Sequence, residues 1–324
     1  MTDLPLNLTP VEAAELLARP DAPLLIDVRE EWEWNEVHIP GALLLPLSQI
    51  ASRHAELATD RALIMQCRSG GRSGQAALAL RAADVADVVS LPGFEGRGFS
   101  VERKADRSEV TEIDRATESA ISQLLRAERP DYSLYGEEHG VVGPSDARRQ
   151  WVIDPIDGTS NFVRGIPVWA SLIALTHREL GAVVGVVSAP VMGRRWWAAA
   201  GLGAFADGQR CRVSTVSRLD EAQVCVTYSP GWSEIGGMQH LVGLQERAYR
   251  ARGFGDFWQH MLVAEGAVDI AVDAIGLEPY DLAAVMVVVE EAGGRFTDRA
   301  GTRTFEHDSA ISSNGLLHEL ALFP

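Results

Sequence analysis

The chain has 324 residues, enough for two domains of ordinary size, of which 46% are hydrophobic and 23% charged. Its formal net charge of −16 argues against a nucleic-acid or membrane-surface partner, because anionic polymers and lipids repel an acidic protein. No apolar run approaches the roughly 18 residues of a membrane span, and the acidic N-terminus lacks the basic segment of a signal peptide. Three widely spaced cysteines indicate reduced thiols, so we expect a cytoplasmic protein.

The first part of the chain alternates helices with short apolar strands, as in a parallel α/β layer. A helix is predicted over 8–18, and apolar runs at 23–29 and 62–67 predict buried parallel strands. A Gly-rich turn then leads to a helix over 74–83 and a last strand over 85–93, which ends at a Pro-Gly pair.

The pattern changes after this strand, where the Gly-rich and charged segment 94–108 is typical of a linker or mobile loop. The elements that follow predict a second α/β unit: a helix at 111–128, a strand at 151–158, an antiparallel meander from 171 to 208, and helices at 256–268 and 281–292. We therefore predict two domains, 1–95 and 96–324.

Acidic residues stand at the ends of several of these elements. A strand delivers Asp154 and Asp157 to one turn, Glu137 follows another strand, and Asp281 begins a helix. Carboxylates that converge on one point repel each other unless a cation lies between them, and Mg²⁺ prefers such oxygen ligands. Two such ions can clamp an in-line displacement and lower the pKa of a bound water. The alternative is that these acids lie in separate solvated turns.

The motifs GEE (136–138), DPIDGTSNF (154–162) and EPYDLAAVMVVVEEAGG (278–294) resemble those of the inositol-monophosphatase family. The resemblance extends over roughly 100–318. It implies a layered α/β sandwich that hydrolyses a small phosphorylated metabolite with two or three Mg²⁺ ions. It also implies a homodimer and inhibition by lithium.

The resemblance also implies roles for particular residues. The expected metal ligands are Glu137, Asp154, the carbonyl of Ile156, Asp157 and Asp281. The resemblance also implies a catalytic role for Glu137. Thr159, together with Asp114, would polarise the attacking water, and the N–H groups of Gly158 and Thr159 would hold the phosphate.

Two flanking segments, 151–175 and 253–271, look most like the histidinol-phosphate phosphatases within this family. Asp256 lies where the family contacts the organic half of its substrate, and a carboxylate there suits the ammonium group of histidinol. The alternative for Asp256 is an N-cap of the following helix. Where the family often has an acidic residue, this chain has Ala274, so either the adjacent Asp273 substitutes or the specificity differs. The alternative substrates are inositol 1-phosphate, a sugar phosphate or 3′-phosphoadenosine phosphate.

Residues 8–93 resemble a rhodanese-like domain through the segments DVR (27–29) and HIPGA (38–42) and the loop that begins at Cys67. The loop residues after this cysteine are Arg68, Ser69, Gly70, Gly71 and Arg72. Backbone N–H groups, the next helix and two arginines would favour a thiolate or persulfide at Cys67. A loop of six residues is typical of sulfurtransferases in this fold. The alternatives are a module that only binds a partner or senses redox state, or a sulfurtransferase whose phosphatase half is inactive.

Both resemblances include the segment 76–93. In the rhodanese-like domain this segment is a helix followed by the last strand, whereas in the phosphatase it is the first helix. One segment cannot be both, so we expect a compact fusion in which one domain lacks a terminal element.

Overall fold

The computed structural model describes residues 10–19, 22–27, 29, 31–36, 38–44, 63–66, 71–104 and 108–323. Within these ranges, no helix is long and apolar enough to cross a membrane.

The N-terminal part contains a small parallel sheet, as predicted. Its elements are α1 (Pro10–Leu17), β1 (Leu24–Asp27), α2 (Glu31–Glu36), β2 (Leu43–Leu44) and β3 (Leu63–Gln66). The strand order is β2-β1-β3, and β1 pairs in parallel with both neighbours, with Leu25 opposite Ile64 and Ile26 opposite Leu43. The predicted helix over 8–18 and the strands over 23–29 and 62–67 are confirmed in their described residues.

The predicted strand over 85–93 is wrong, because one long helix, α3, extends over Gly71–Gly96. The small residues Ala79, Ala82 and Ala86 are fully buried on one face, at helical rather than strand spacing. Pro92 removes one helical hydrogen bond, which would have ended on the carbonyl of Val88. Val88 is 74% exposed, so water can replace that bond. Helix packing therefore outweighs the strand propensity of the valines.

The C-terminal part begins with a β-hairpin in the segment predicted as a linker. The prediction of a linker or mobile loop over 94–108 is therefore wrong for its last part. Val101–Arg103 pairs antiparallel with Glu109–Thr111, and the N–H of Lys104 continues this pairing by donating to the carbonyl of Ser108. The elements from this hairpin to the end of the large sheet are β4 (Val101–Arg103), β5 (Glu109–Thr111), α4 (Glu112–Glu128), β6 (Ser133–Gly136), β7 (Gly140–Val142), β8 (Arg149–Asp157), α5 (Thr159–Arg164), β9 (Ala170–His177), β10 (Gly181–Ala189), β11 (Arg194–Ala199), β12 (Gly203–Ala206) and β13 (Gln209–Arg210).

A second sheet follows with its own helices. Its elements are β14 (Gln223–Val226), α6 (Gly231–Glu234), α7 (Met238–Arg247), β15 (Arg250–Arg252), α8 (Asp256–Ala264), β16 (Ile270–Asp273), α9 (Pro279–Glu291), β17 (Arg295–Thr297) and β18 (Ala310–Ser313). The predicted helices at 111–128, 256–268 and 281–292 correspond to α4, α8 and α9.

The two sheets and the helices form layers. The large sheet has the order β13-β12-β11-β10-β9-β8-β6-β7, and its run from β9 to β12 is the predicted antiparallel meander. The second sheet has the order β15-β14-β16-β18-β17. Helices α3 and α4 cover one face of the large sheet, α9 lies between the two sheets, and α7 packs on the second sheet. The predicted layered α/β sandwich is confirmed.

Helix α9 is the centre of this arrangement. Its residues 282–289 are all buried, as expected of a helix that is apolar all round. It approaches β10 closely, because a Cβ atom on Gly185 would lie 2.4 Å from the carbonyl oxygen of Ala284. Only glycine at this position allows the helix to pack so near the sheet.

We predict that Gly185→Ala lowers the free energy of unfolding by about 1–3 kcal/mol, because backbone on both sides must shift. Gly243→Ala in α7 is the matched control, since nothing lies within 4 Å of its added methyl group. That change should stabilise the protein by about 0.5–1 kcal/mol. Urea denaturation of both variants provides the measurement, and equal midpoints would contradict the close approach.

Candidate active site

The segment DPIDG forms the end of β8 and the turn into α5. Oδ1 of Asp154 accepts a hydrogen bond from the N–H of Ile156 (2.9 Å), and the hydroxyl of Ser171 donates to the carbonyl of Pro155 (2.7 Å). Gly158 adopts φ +85°, and a Cβ atom there would lie 3.0 Å from the carbonyl oxygen of Val168. The turn therefore requires glycine at this position.

Three aspartates from two elements converge beside this turn. Carboxylate oxygens of Asp154, Asp157 and Asp281 lie within 4.8 Å of one another. Asp281 is fixed at the start of α9 by a capping box with Glu278, whose N–H donates to Oδ2 of Asp281 (2.7 Å). Asp157 accepts a hydrogen bond from the N–H of Phe257 (2.8 Å). The structure thus brings together the three aspartates that the motifs had singled out.

Glu137 reaches the same region from the end of β6. Its N–H donates to the carbonyl of Ile153 in β8 (3.1 Å), which fixes the two strand ends side by side. Nζ of Lys104 lies 2.8 Å from a carboxylate oxygen of Glu137 and 2.6 Å from one of Glu138. The sequence analysis did not identify Lys104, because only the hairpin register places this lysine beside the acids.

Gly136, which precedes Glu137, is required by a buried acid. A Cβ atom on Gly136 would lie 2.0 Å from Oε1 of Glu118 in α4. The carboxylate of Glu118 accepts hydrogen bonds from the N–H groups of Glu138 (2.7 Å) and His139 (3.0 Å). This contact holds the turn after β6 in place and so orients Glu137.

Burial and mutual repulsion raise the pKa values of the clustered acids. Burial raises the pKa of Glu137 to about 7, although its hydrogen bond to Lys104 opposes the shift. Burial raises the pKa of Asp281 to about 6. The pKa values of Asp154 and Asp157 rise well above the usual range through burial and the neighbouring carboxylates. These buried carboxylates do not readily ionise together in the absence of a cation. Their oxygen atoms are suitable ligands for a hard cation, which would favour the ionised form.

The predicted contact between Thr159 and Asp114 is present. The hydroxyl of Thr159 lies 3.1 Å from Oδ1 of Asp114 and 3.0 Å from the carbonyl oxygen of Ile156. Asp114 is fully buried, and its Oδ2 accepts hydrogen bonds from the N–H (2.8 Å) and hydroxyl (2.5 Å) of Thr111, the N-cap of α4. The carboxylate is therefore held rigidly behind the Thr159 hydroxyl.

A cavity of about 180 Å³ opens next to the cluster of Asp154, Asp157 and Asp281. Its lining residues are Asp157, Asp256, Phe257, His260, Asp273, Leu277, Asp281 and Leu282. Gly255, not Asp256, is the N-cap of α8, and Oδ2 of Asp256 instead accepts a hydrogen bond from Nδ2 of Asn161 (2.9 Å). Burial and the charge of Asp273 raise the pKa of Asp256 to about 6. Asp256 is therefore not the N-cap of this helix, and it lines the cavity.

The rhodanese-type residues are only partly described. Asp27 is buried at the end of β1, and Nη2 of Arg29 lies 2.6 Å from its Oδ2. Cys67, Arg68, Ser69 and Gly70 lie outside the described residues, whereas the backbone of Gly71 and Arg72 begins α3. Sulfur chemistry at Cys67 therefore stays a prediction.

Comparison with protein families agrees with this fold. Residues 75–322 match the inositol monophosphatase family, and residues 9–94 match the rhodanese-like domain. The fold and the acidic cluster define the class, a phosphoric monoester hydrolase. The chain belongs to the inositol monophosphatase family and carries an N-terminal rhodanese-like domain. Both resemblances expected from the motifs are confirmed.

Similar proteins include two bacterial histidinol-phosphatases. That of Mycobacterium tuberculosis (strain ATCC 25618 / H37Rv) is 46% identical over 250 residues, which cover 76% of this chain and 95% of the relative. That of Streptomyces coelicolor is 44% identical over 245 residues, which cover 73% and 91%.

Solved structures show the same fold. The extragenic suppressor protein suhB from Bartonella henselae has a TM-score of 0.70 at 29% identity, over 76% of this chain and 96% of that protein. An inositol monophosphatase from Zymomonas mobilis has a TM-score of 0.65 at 32% identity, over 75% and 93%.

We predict that Mg²⁺ raises the thermal unfolding midpoint more at pH 8 than at pH 5.5, because the cation must displace protons from acids such as Glu137 and Asp281. Without Mg²⁺, raised folded-state pKa values stabilise the protein at low pH, and this contribution is lost as pH rises through about 6 to 7. At a hundredfold excess over Kd, the added stabilisation at pH 8 should be about 2.7 kcal/mol.

Scanning calorimetry with Mg²⁺ alone checks this expectation. Asp154→Asn should remove most of the stabilisation, and Glu246→Gln, an exposed acid in α7, is the control. Equal Mg²⁺ effects at the two pH values, or full protection of Asp154→Asn, would show that the cation binds elsewhere.

Proposed function

We propose that this protein hydrolyses L-histidinol phosphate to L-histidinol and phosphate in a Mg²⁺-dependent reaction of histidine biosynthesis. The observation that carries the proposal is the small acidic cavity directly beside the cluster of Asp154, Asp157 and Asp281. The cluster suits cations that accompany a phosphate group, and the cavity suits a cationic organic group. The similarity to proteins named histidinol-phosphatase supports the same substrate.

The proposed Mg²⁺ ligands are the acids at the strand and helix ends. Glu137, Asp154, the carbonyl of Ile156, Asp157 and Asp281 would hold two or three ions. All of these donors are oxygens, and backbone N–H groups already orient the carboxylates of Asp154, Asp157 and Asp281. Bound Mg²⁺ would neutralise the carboxylates and lower the pKa of an attacking water.

Two further groups are proposed to act on the phosphate and the water. The hydroxyl of Thr159 donates to buried Asp114, so its lone pairs can accept a proton of the water and direct the oxygen at phosphorus. The N–H groups of Gly158 and Thr159 begin the first turn of α5, where helical geometry gives them no partner within the helix. They are available to phosphate oxygens.

The organic half of the substrate is assigned to the cavity. A volume of about 180 Å³ is below the roughly 300–1,000 Å³ of sites that enclose drug-sized ligands. It accommodates a small group rather than the adenosine of 3′-phosphoadenosine phosphate. Asp256 and Asp273, the two cavity acids that are not proposed Mg²⁺ ligands, would hold a cation better than the neutral ring of inositol phosphate.

The prediction is that L-histidinol phosphate is hydrolysed with a higher kcat/KM than inositol 1-phosphate, and only with Mg²⁺ present. Changes to the groups that surround metal ligands typically lower activity about 10–100-fold. Asp154→Asn should lower kcat/KM by more than this, because it alters a proposed ligand itself. Phosphate release measures both, with Glu246→Gln as the control variant. Preference for inositol 1-phosphate, or turnover without a divalent cation, would refute the proposal.

A further inference from the structure

The buried face of α3 is wider than that of a helix that covers one surface. At about 100° per residue, its fully buried positions span an arc of about 140°, whereas a helix that packs on one element buries a stripe of roughly 100°. These positions are Leu78, Ala79, Ala82, Ala83, Ala86 and Ser90. Most of these side chains are small, so neighbouring elements can approach the helix closely. The width indicates that α3 packs against more than one surface.

One hydrophobic cluster joins α3 to both parts of the chain. It contains Leu78, Ala82 and Ala86 of α3, together with Ile26 of the small sheet and Trp151 of the large sheet. All five side chains are fully buried. The same helix therefore contributes to the core of the N-terminal part and to the core of the C-terminal part.

An ion-pair group fixes α3 to the large sheet. The guanidinium of Arg195 lies 2.6 Å from a carboxylate oxygen of Asp84 and 2.6 Å from one of Asp87. The hydroxyl of Ser188 in β10 donates to Asp87 (2.9 Å). Because Arg195 is in β11, the group joins the helix to two neighbouring strands.

We infer that α3 belongs to both domains, so that the rhodanese-like and phosphatase parts unfold as one cooperative unit. The two family matches overlap over residues 75–94, which lie inside this helix. Neither part can separate from α3 without exposing apolar side chains that are now buried, and this exposure opposes independent unfolding. The predicted boundary at residue 95 falls at the end of the shared helix and separates no independent units.

Hydrogen exchange of the full chain at increasing urea concentrations tests the shared unit, because it reports protection separately for each segment. Peptides from β1 and peptides from β8–β10 should lose protection at the same urea concentration. Loss of protection in β1 at a lower urea concentration than in β8–β10 would overturn the inference.

Two core variants apply this test from each side. Ile26→Ala removes a fully buried side chain of the small sheet, and it should lower the urea midpoint of the β8–β10 peptides as much as that of the β1 peptides. Val186→Ala removes a fully buried side chain of β10, and it should in turn lower the midpoint of the β1 peptides. If each variant shifts only the peptides of its own part, the shared unit is overturned.

Ile39→Ala is the surface control for these variants. Ile39 lies in the N-terminal part and is 44% exposed, so its substitution should leave both midpoints unchanged. Should Ile26→Ala fail to fold, Ile26→Val removes less of the side chain and gives the same comparison with a smaller shift.

A second inference concerns Phe94, near the C-terminal end of α3. Its ring packs on Phe162 and Trp169, with centroid distances of 5.5 and 5.6 Å. The rings of Phe162 and Trp169 also pack on each other, with a centroid distance of 5.0 Å. These three rings form one buried cluster with Ile156, the middle residue of the DPIDG turn. The end of α3 is thus connected by packing to the turn that bears two of the clustered aspartates.

The same end of α3 also approaches α4. A Cβ atom on Gly93 would lie 2.9 Å from Cδ1 of Ile113. Ile113 packs against the aromatic cluster and precedes Asp114, which accepts a hydrogen bond from the hydroxyl of Thr159. The aromatic cluster therefore contacts two segments that carry site residues, the DPIDG turn and the first turn of α4.

We propose that Phe94 is a positioning residue for the carboxylates of Asp154 and Asp157, on which it acts through Ile156. This inference rests on the metal site of the proposed function. Mg²⁺ demands nearly octahedral oxygen ligands, so a turn that can shift binds the ion less tightly. Close packing of the aromatic rings against Ile156 restricts such shifts.

Phe94→Ala should raise the Kd of Mn²⁺, which takes the same oxygen ligands as Mg²⁺, by about tenfold or more. Calorimetric titration of the full chain with Mn²⁺ alone provides the measurement. Phe94→Leu keeps a large apolar side chain in the cluster, so it should restore the Kd to within about threefold of the wild-type value.

Phe323→Ala is the matched control. Phe323 is 6% exposed and Phe94 is 8% exposed, and the ring of Phe323 stacks on Trp232 in the hydrophobic cluster of the second sheet. This variant should lower the thermal unfolding midpoint without changing the Kd of Mn²⁺. An equal rise of the Kd in both variants, or no rise in Phe94→Ala, would overturn the positioning role.

Phosphate release from L-histidinol phosphate separates this second inference from the proposed function. If Phe94→Ala weakens Mn²⁺ binding but the wild type does not hydrolyse the ester, the positioning role stands and the proposed function fails. If the ester is hydrolysed but Phe94→Ala binds Mn²⁺ as tightly as the wild type, the positioning role fails and the proposed function stands. Absence of Mn²⁺ binding to the wild type would overturn both.

Discussion

The repulsion among buried carboxylates is the constraint on which the site depends. Asp154, Asp157 and Asp281 are held near one another by backbone hydrogen bonds that orient their oxygens but cannot neutralise them. Lys104 contacts Glu137 and Glu138, so its charge meets only one side of the cluster. An arrangement of this kind is tenable when cations bind or protons are retained. The same cations would invert the local field of a protein with net charge −16 and admit an anionic substrate.

The layered fold holds these carboxylates in fixed positions. Helix α9 is buried between the sheets, and the missing side chain of Gly185 lets it approach β10, which sets the position of Asp281 relative to β8. The aromatic cluster around Phe94 and Ile156 supports the turn from behind. The cavity adjoins the aspartate cluster, because Asp157 and Asp281 belong to both. In the proposed function, phosphate chemistry and recognition of the organic group would divide between these two adjoining places.

Much of this site was readable from the sequence because its parts are local. The segments containing Glu137, Asp154 and Asp281 each place acids at the end of one element, so a motif records both the residue and its position. Contacts between distant segments leave no such record. Lys104 meets Glu137 only through a hairpin register, and His260 meets Asp273 only because α8 packs on β16. The helix α3 was mistaken for a strand over 85–93 because valine favours strands, whereas burial of Ala82 and Ala86 against the sheet decides the structure.

The central claim is that the converging carboxylates bind divalent cations. The most direct measurement is anomalous diffraction from crystals of the full chain soaked with Mn²⁺, which takes the same oxygen ligands as Mg²⁺. We expect anomalous peaks from Mn²⁺ ions among Asp154, Asp157 and Asp281. Glu137 should also bind one of these ions and lose its contact with Lys104. Phosphatase activity with Mn²⁺ in solution, together with no peak at these carboxylates, would contradict the claim.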